Sequence, residues 1–330
     1  MASEILIRGT AGTIEPKIVS AANQRVRMNI VYIAGCTHGG TTLLYRLLNA
    51  HPEIIAVGSV NNLAGKVRTR NKLCQCGQPV SSCGFWSCVN AKVKESDKSQ
   101  SLLGLSVNDS DPDAFLRDNE LFYHAISKSS GFDIVVDSSR KAGRLKKLRS
   151  SFGSDLIKVI VIYKKPPAQI FSWTKNGKTS KGKFSFVRSL LRYNLNWLSI
   201  IKATWGFENV YTVSYEGFCD EARDVLSAVF DFLKVDSSQE LIDSILESDL
   251  KDLQCHALGG QPLSFSPSEL KKDERWRDSF SMPRKVASWV GCYLPYIILR
   301  RRTVDERGRL QGFMRDCASI LREEATCRNR

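Results

Sequence analysis

The segment that most restricts the fold of this chain is a short apolar run that leads into a glycine-rich loop. Residues 28–34 read Met-Asn-Ile-Val-Tyr-Ile-Ala, which is typical of a buried parallel strand. The loop Gly-Cys-Thr-His-Gly-Gly-Thr-Thr follows at residues 35–42, and leucines then recur at helical spacing over residues 43–48. Small residues let backbone N–H groups surround an anion, and the start of a helix adds its positive dipole. The segment predicts an anion site, although a glycine turn without a ligand is the alternative.

Strands and helices are predicted to alternate along the rest of the chain. Apolar runs predict four more strands, at residues 54–57, 133–137, 156–163 and 209–214. Helices are predicted over residues 142–150, after the proline pair 166–167, and over residues 222–233. This alternation favours an α/β fold with a P-loop-like parallel sheet, right-handed crossovers and flanking helices.

The chain is expected to divide into three parts. We expect residues 1–27 to form an N-terminal arm, residues 28–280 the α/β domain, and residues 281–330 a helical C-terminal extension. Within the domain, the stretch from about 60 to 112 is polar and rich in cysteine and serine. We interpret this stretch as a cysteine-bearing insertion or lid.

The charge balance restricts the partners of the protein. The chain of 330 residues carries 48 Lys and Arg against 34 Asp and Glu, a formal net charge of +14. Such an excess favours a polyanionic partner, such as a nucleotide, a nucleic acid, an acidic glycan or a membrane surface. A solvated basic face is the alternative explanation.

Targeting signals and membrane spans are not expected. The N-terminal residues lack the apolar core of a signal peptide, and the longest apolar stretch, residues 286–299, is interrupted by Gly291 and Pro295. We therefore expect a cytoplasmic protein without a membrane span.

Four of the ten cysteines cluster in the sequence, at Cys74, Cys76, Cys83 and Cys88. In a reducing compartment such a cluster indicates metal ligands or free thiols before disulfides. The spacing C-x-C-x6-C-x4-C is not a standard zinc-finger spacing. A structural zinc ion bound by these four residues and a set of reduced thiols both stay open.

The glycine loop departs from a Walker A motif at one position. The pattern is G-x4-G-T-T, and Thr41 stands where the motif has a lysine that reaches the terminal phosphates of ATP or GTP. Without that lysine a triphosphate is poorly neutralised, whereas a 5′-phosphosulfate still fits the loop.

Several segments together resemble a known family. The sequence GCTHGGTTLLYRLLNAHPEIIAVGS, from Gly35, resembles the 5′-phosphosulfate loop of the sulfotransferases that use 3′-phosphoadenosine 5′-phosphosulfate (PAPS). Two further segments resemble a bacterial-type branch of this family, namely CQCGQPVSSCGFW from Cys74 and VVDSSRKAGRLKKL from Val135. KVIVIYKKPPAQIFSW, from Lys158, resembles the family's 3′-phosphate motif, and VSYEGF, HALGGQPL and DERWR follow in the expected order. The resemblance covers roughly residues 28–280.

The resemblance implies a set of nucleotide-binding residues. Lys164 and Ser172 match the positions that contact the 3′-phosphate, and Tyr215 matches a residue near the adenine. The complete cofactor-binding set is Gly35, Thr37, Gly39, Gly40, Thr41, Thr42, Lys164, Ser172, Tyr215, Gly259 and Gly260.

Besides Lys164, which stands where the family has an arginine, three positions near the expected reacting group differ from the family pattern. His38 stands where the loop usually carries Arg or Lys, a cation that stabilises the transferring sulfuryl group, and a protonated histidine can do the same. Arg140 replaces the lysine of the D-S-S-K segment and keeps its charge. Ser59 replaces a glutamate that serves as general base, so His38, Asp137 and His256 are the candidate proton acceptors.

The resemblance implies a sulfotransferase that moves a sulfuryl group from PAPS to an acceptor hydroxyl or amine, with His38 and Arg140 as catalytic residues. A P-loop kinase or NTPase is a second hypothesis, in which residues 135–137 form a Walker B strand. A nucleotide-binding protein without catalysis is a third. A nucleic-acid partner is not expected, because it explains the charge but not the order of the motifs.

Overall fold

A five-stranded parallel sheet organises the protein. The computed structural model describes residues 29–63, 73–153, 155–175, 185–248, 255–258 and 270–303. The strands are β1 (Asn29–Gly35), β2 (Ile54–Gly58), β3 (Ile134–Arg140), β4 (Ile157–Tyr163) and β5 (Val210–Ser214). All neighbouring strands pair in parallel in the order β2-β3-β1-β4-β5, with β1 at the centre. The predicted α/β fold with a parallel sheet is confirmed.

Helices connect the strands and cover the sheet. Those of the first half are α1 (Thr41–Asn49), α2 (Gly84–Ser96), α3 (Pro112–Ser130), α4 (Ala142–Phe152), α5 (Pro166–Lys175) and α6 (Ser185–Ala203). Those of the second half are α7 (Tyr215–Asp220), α8 (Ala222–Leu233), α9 (Gln239–Glu247), α10 (Trp276–Ser279), α11 (Met282–Gly291) and α12 (Tyr293–Arg302).

Both faces of the sheet are buried under helices. Alternate residues of β1 illustrate this: Tyr32 contributes to one apolar cluster, shared with residues of α2 to α6, and Ile33 contributes to the other, shared with α1, α8 and α9. Strands buried on both faces read as continuous apolar runs rather than alternating ones. This double burial is why the five strands were recognisable in the sequence.

The cysteine-bearing stretch contributes to the core. Trp86, Val89 and Val93 of α2 are at most 1% exposed, and α2 packs against α3. Their apolar side chains belong to the cluster that covers one face of the sheet. The described part of this stretch therefore packs into the core, and its description as an insertion or lid stays a prediction.

The described part of the C-terminal region is helical, as α11 and α12 show. Tyr296 and Leu299 of α12 join the core, and the hydroxyl groups of Tyr163 and Thr303 lie 2.9 Å apart. None of the helices in the described ranges is long and apolar enough to cross a membrane. The boundaries proposed for the N-terminal arm, the α/β domain and the C-terminal extension stay predictions.

Candidate nucleotide site

The glycine loop lies at a topological switch point of the sheet. The connection after the central strand β1 leads through α1 to β2 on one side, whereas the connection after β4 leads to β5 on the other side. In open α/β sheets, ligands bind in the crevice that such diverging connections leave at the carboxyl ends of the strands. The loop 36–40 and the segment after Tyr163 lie on the two sides of this crevice, because Gly35 pairs with Ile162.

The loop is closed tightly by backbone contacts. The Gly39 N–H donates to the Cys36 carbonyl at 3.1 Å, and Gly40 caps α1 with a positive φ of 93°. A Cβ atom at Gly40 would lie only 2.5 Å from Cδ2 of Tyr215. Glycine at position 40 thus allows the start of α1 and the Tyr215 ring to approach each other.

Gly40→Ala is expected to destabilise the protein by about 1–2 kcal/mol more than Gly131→Ala does, which urea unfolding of both variants would measure. Both glycines have positive φ, but a Cβ at Gly131 would meet nothing within 4 Å. The two variants therefore share the left-handed backbone strain and differ in the overlap with Tyr215. Equal losses of stability would show that the loop tolerates displacement of Tyr215.

Three residues predicted to bind the 3′-phosphate and the adenine lie together beside this loop. Lys164 follows β4, Ser172 lies on α5, and Tyr215 begins α7 after β5. The Lys164 Nζ lies 3.4 Å from the Ser172 Oγ and 4.6 Å from the centre of the Tyr215 ring. Three elements therefore bring a cation, a hydroxyl group and an aromatic ring to one place.

Lys164 is a buried cation. Its side chain belongs to a residue that is only 4% exposed, and burial lowers the pKa of Lys164, while the negative charges of Asp273 and Glu216 act in the opposite direction. The Glu216 carboxylate also accepts the Lys165 backbone N–H at 3.0 Å, which fixes the segment after β4. A buried ammonium group at a strand end is suited to an anionic ligand.

Arg192 is a further residue at the loop that the sequence interpretation missed. Its guanidinium donates to the Thr37 Oγ1 at 3.1 Å and lies 4.5 Å from the centre of the Trp173 ring. The Trp173 indole N–H and the Gln169 amide donate to the Thr37 carbonyl at 2.9 and 2.8 Å. Helices α5 and α6 thus hold the loop, and Arg192 adds a positive charge to it.

The two proposed catalytic residues occupy different depths. His38 lies at the exposed turn of the loop with φ of 65°. Arg140 ends β3 with φ of 68°, after a register shift that pairs it with Ala34.

Burial raises the pKa of the Cys36 thiol to about 12, although Arg192 and Arg140 both lower it. These two arginines therefore place positive charge at the base of the loop.

Asp137 is not positioned to accept a proton from a substrate. Its carboxylate is fully buried and accepts hydrogen bonds from the Tyr123 hydroxyl at 2.7 Å, the Arg144 Nε at 3.0 Å, and the backbone N–H and hydroxyl of Ser139 at 2.8 and 2.5 Å. With its oxygens occupied in this way, Asp137 holds β3, in which it lies, to α3 and α4.

His256, a candidate proton acceptor, lies in the segment 255–258, and Ser59, which replaces the family's glutamate, lies beside it. The His256 Nδ1 lies 3.3 Å from the Cys83 Sγ, so the ring faces thiols rather than the glycine loop. Ser59 is 8% exposed, and its backbone N–H donates to the Leu258 carbonyl at 3.1 Å. Of the three candidate proton acceptors, His38 is the one that faces solvent at the loop.

Three of the four clustered cysteines meet in space. The ligand atoms of Cys74, Cys76, Cys83 and His256 all lie within 4.8 Å of one another. Cys88, on α2, does not belong to this group. The cysteines of the described ranges form no disulfide.

The remaining predicted site residues have the following positions. Thr41 is buried in the first turn of α1, Thr42 and Thr37 are half-buried, and Gly35 ends β1. Gly259 and Gly260 lie outside the described residues.

No protein-family model matches the chain, and neither does any curated protein sequence. Solved structures give similarities at low identity. The sulfotransferase domain from the curacin biosynthetic pathway is 17% identical with a TM-score of 0.49, over 80% of this chain and 97% of that one. The sulfotransferase domain of the Synechococcus PCC 7002 olefin synthase is 16% identical with a TM-score of 0.48, over 81% of this chain and 93% of that one. Mouse sulfotransferase SULT7A1, complexed with PAP, is 11% identical with a TM-score of 0.46, over 85% and 89% of the two chains.

Proposed function

We propose that this protein is a PAPS-dependent sulfotransferase that transfers a sulfuryl group to an acceptor hydroxyl or amine. The observation that carries the proposal is the convergence of two anion-binding features at one crevice. The glycine loop before α1 provides backbone N–H groups and a helix dipole, and the buried Lys164 lies beside Ser172 and Tyr215. A nucleotide with one phosphate at each end of its ribose requires two such features.

The proposed chemistry needs positioning and charge stabilisation. The acceptor oxygen or nitrogen bonds to sulfur, the bond between sulfur and the bridging oxygen breaks, and 3′-phosphoadenosine 5′-phosphate (PAP) leaves with the electron pair. The loop N–H groups and the threonine hydroxyls would hold the 5′-phosphate and the sulfuryl oxygens. Arg140 and Arg192, whose charges reach Cys36 at the base of the loop, would stabilise the charge that grows on the bridging oxygen.

The acceptor must lose a proton during transfer. His38 is exposed at the loop, so in this proposal it either receives that proton or, when protonated, stabilises the sulfuryl group. The two roles require opposite protonation states. Transfer that rises with pH would support the role as proton acceptor, and transfer that falls would support the role as cation.

A P-loop kinase or NTPase is disfavoured by two features. Thr41 occupies the position of the phosphate-binding lysine. Asp137, the residue that a Walker B strand would offer to Mg²⁺, is already bound by Arg144, Tyr123 and Ser139. The part of the crevice that the structure describes therefore favours a 5′-phosphosulfate over a magnesium triphosphate.

We expect PAPS and PAP to stabilise the protein against heat much more than ATP or GTP with Mg²⁺. A ligand at 100 times its dissociation constant adds about 2.7 kcal/mol to the stability of the folded state, which a thermal-shift experiment detects readily. A screen of hydroxyl, amine and glycan acceptors with PAPS would then test transfer. Stabilisation by ATP–Mg²⁺ alone would overturn the proposal in favour of a kinase, and tight PAPS binding without any transfer would favour a binding protein.

We also propose that the protein works in the cytoplasm. None of the eight described cysteines forms a disulfide, which fits a reducing compartment. The positive charge is expected to serve an anionic nucleotide rather than a nucleic acid.

A further inference from the structure

A cluster of three cysteines and one histidine lies apart from the glycine loop. Cys74, Cys76 and Cys83 come from the stretch between β2 and β3, and His256 lies 182 positions after Cys74. Cys74 and Cys83 are 2% and 1% exposed, His256 is half-buried, and Cys76 is exposed. Two distant parts of the chain thus bring three sulfur atoms and one imidazole nitrogen together.

The distances in this cluster match a tetrahedral metal site. The Cys76 and Cys83 sulfur atoms are 3.6 Å apart, and the His256 Nδ1 lies 3.7 Å from the Cys74 sulfur and 3.3 Å from the Cys83 sulfur. A tetrahedral zinc ion with bonds of about 2.3 Å to sulfur and about 2.0–2.1 Å to nitrogen has S–S edges of roughly 3.8 Å and S–N edges of roughly 3.6 Å. A disulfide would require its sulfur atoms at about 2.05 Å, far closer than these are.

The backbone around the cluster holds the ligand atoms in place. The Cys74 N–H donates to the Gln78 carbonyl at 2.8 Å, which closes a tight turn that carries Cys76. The Cys83 N–H donates to the Pro79 carbonyl at 2.8 Å, and Cys83 caps α2. The donors therefore reach the cluster from fixed turns rather than from free ends.

The histidine is oriented by its own neighbours. The Phe85 ring stacks on the His256 ring at a centroid distance of 5.0 Å and an angle of 15°. The Gln75 N–H donates to the Ala257 carbonyl at 3.3 Å, and the backbones of Cys74 and Leu258 form an isolated antiparallel β-bridge. Both contacts keep the segment that carries His256 against the segment that carries the cysteines.

We propose that Cys74, Cys76, Cys83 and His256 bind one structural zinc ion. Three thiolates and one imidazole are a ligand set that zinc prefers, and four protein ligands close the site to water and substrate. Zinc binding releases the thiol protons and adds its binding free energy to folding. The site differs from the cysteine cluster that the sequence spacing suggested, because His256 takes the place of Cys88.

The zinc ion would join the cysteine segment to β2, the strand at one edge of the sheet. The segment that carries His256 pairs with the end of β2, since the Leu258 N–H donates to the Val57 carbonyl at 2.8 Å and the Ser59 N–H donates to the Leu258 carbonyl at 3.1 Å. A Cβ at Gly58 would lie 2.8 Å from the Cβ of Ala257, so the two chains are in close contact. Loss of zinc is therefore expected to loosen both the cysteine segment and its contact with β2.

The first test is the metal content of the full chain, purified under reducing conditions without chelator. Elemental analysis is expected to find about one zinc per chain, either as isolated or after addition of zinc and removal of the excess. Cobalt replacement is expected to give the intense thiolate-to-cobalt charge-transfer band and the visible bands of a tetrahedral site. A protein that binds no zinc after this addition would overturn the proposal.

Matched variants test the ligand set. Cys88→Ser is expected to keep the zinc, His256→Ala to lose it, and His256→Cys to retain a metal in a four-cysteine site. If His256→Ala does not fold, His256→Cys still tests position 256. Removal of zinc from the unaltered protein with a chromophoric chelator is then expected to lower its melting temperature. Zinc that survives in His256→Ala but disappears in Cys88→Ser would refute this ligand set. All these measurements are made without PAPS, so their failure leaves the proposed sulfuryl transfer untouched.

Discussion

Arg144→Met is expected to lower the free energy of unfolding by about 3–5 kcal/mol, because it leaves the Asp137 carboxylate buried without its cation. Arg144 is 4% exposed and Asp137 is fully buried, and the Arg144 Nε donates to Asp137 at 3.0 Å. The guanidinium also donates to the Asn119 side chain at 2.7 Å and to the Tyr123 hydroxyl at 2.8 Å. Methionine fills a similar volume but replaces none of these bonds.

Urea unfolding would measure this loss, with Arg117→Met as the matched control. Arg117 pairs with the buried Asp118 at 3.0 Å, but the Arg117 side chain is 62% exposed and the Ser106 N–H also donates to Asp118 at 2.7 Å, so Arg117→Met is expected to cost less than Arg144→Met. The double variant Asp137→Asn with Arg144→Met is expected to recover part of the loss, since it removes the uncompensated charge. An Arg144→Met protein as stable as Arg117→Met would show that the network contributes little.

The same network explains why the strand predicted at residues 133–137 ends three residues before β3 does. The apolar run ends at Asp137, but the strand continues to Arg140. Ser138 and Ser139 are buried although they are polar, and the Ser139 N–H and hydroxyl bind the Asp137 carboxylate. Hydropathy cannot reveal a strand whose buried polar groups are satisfied by side chains from α3 and α4. The other four strands, most of whose residues are apolar, were predicted to within one residue wherever the structure describes their ends.

Candidate site residues were predictable when they lay within a local motif. Lys164 and Ser172 are eight positions apart on one strand end and the following helix, and the structure brings them together. Arg192 lies 155 positions after Thr37, and His256 lies 173 positions after Cys83. Contacts between residues so far apart in the sequence depend on how α6 packs against the sheet and on which segment pairs with β2. Patterns of neighbouring residues in the sequence reveal neither of these. α6 itself, over residues 185–203, was not predicted.

The position of Arg192 changes the role that is expected of His38 in the proposed reaction. In the sequence, His38 was the residue at the place of the usual loop cation. In the structure two arginines, Arg140 and Arg192, already act on Cys36 at the base of the loop. With this positive charge present, the proposed reaction does not depend on a protonated histidine, which favours the role of His38 as acceptor of the proton.

Lys164→Ala is expected to weaken PAPS and PAP binding by about 1.5–3 kcal/mol, which is the contribution of a hydrogen bond to a charged group. The Lys164 Nζ is fixed 3.4 Å from Ser172 and above the Tyr215 ring, so little side-chain entropy is lost when an anion binds there. Calorimetry with the same nucleotides lacking the 3′-phosphate is expected to show almost equal affinity for Lys164→Ala and the unaltered protein. Lys165→Ala, at the half-buried neighbouring position, is the matched control and is expected to lose less affinity.

The pH dependence of PAP binding provides an independent check on Lys164. Burial lowers the pKa of Lys164, so the charged form is lost at a pH below that of an exposed lysine. The affinity for the 3′-phosphate is therefore expected to be highest below this lowered pKa and to fall as the pH rises through it. Lys164→Arg keeps its charge throughout the alkaline range and is expected to remove that fall, even if the different shape of the guanidinium lowers the affinity at every pH. Equal losses in Lys164→Ala for ligands with and without the 3′-phosphate, or an alkaline fall that persists in Lys164→Arg, would show that another group binds the 3′-phosphate.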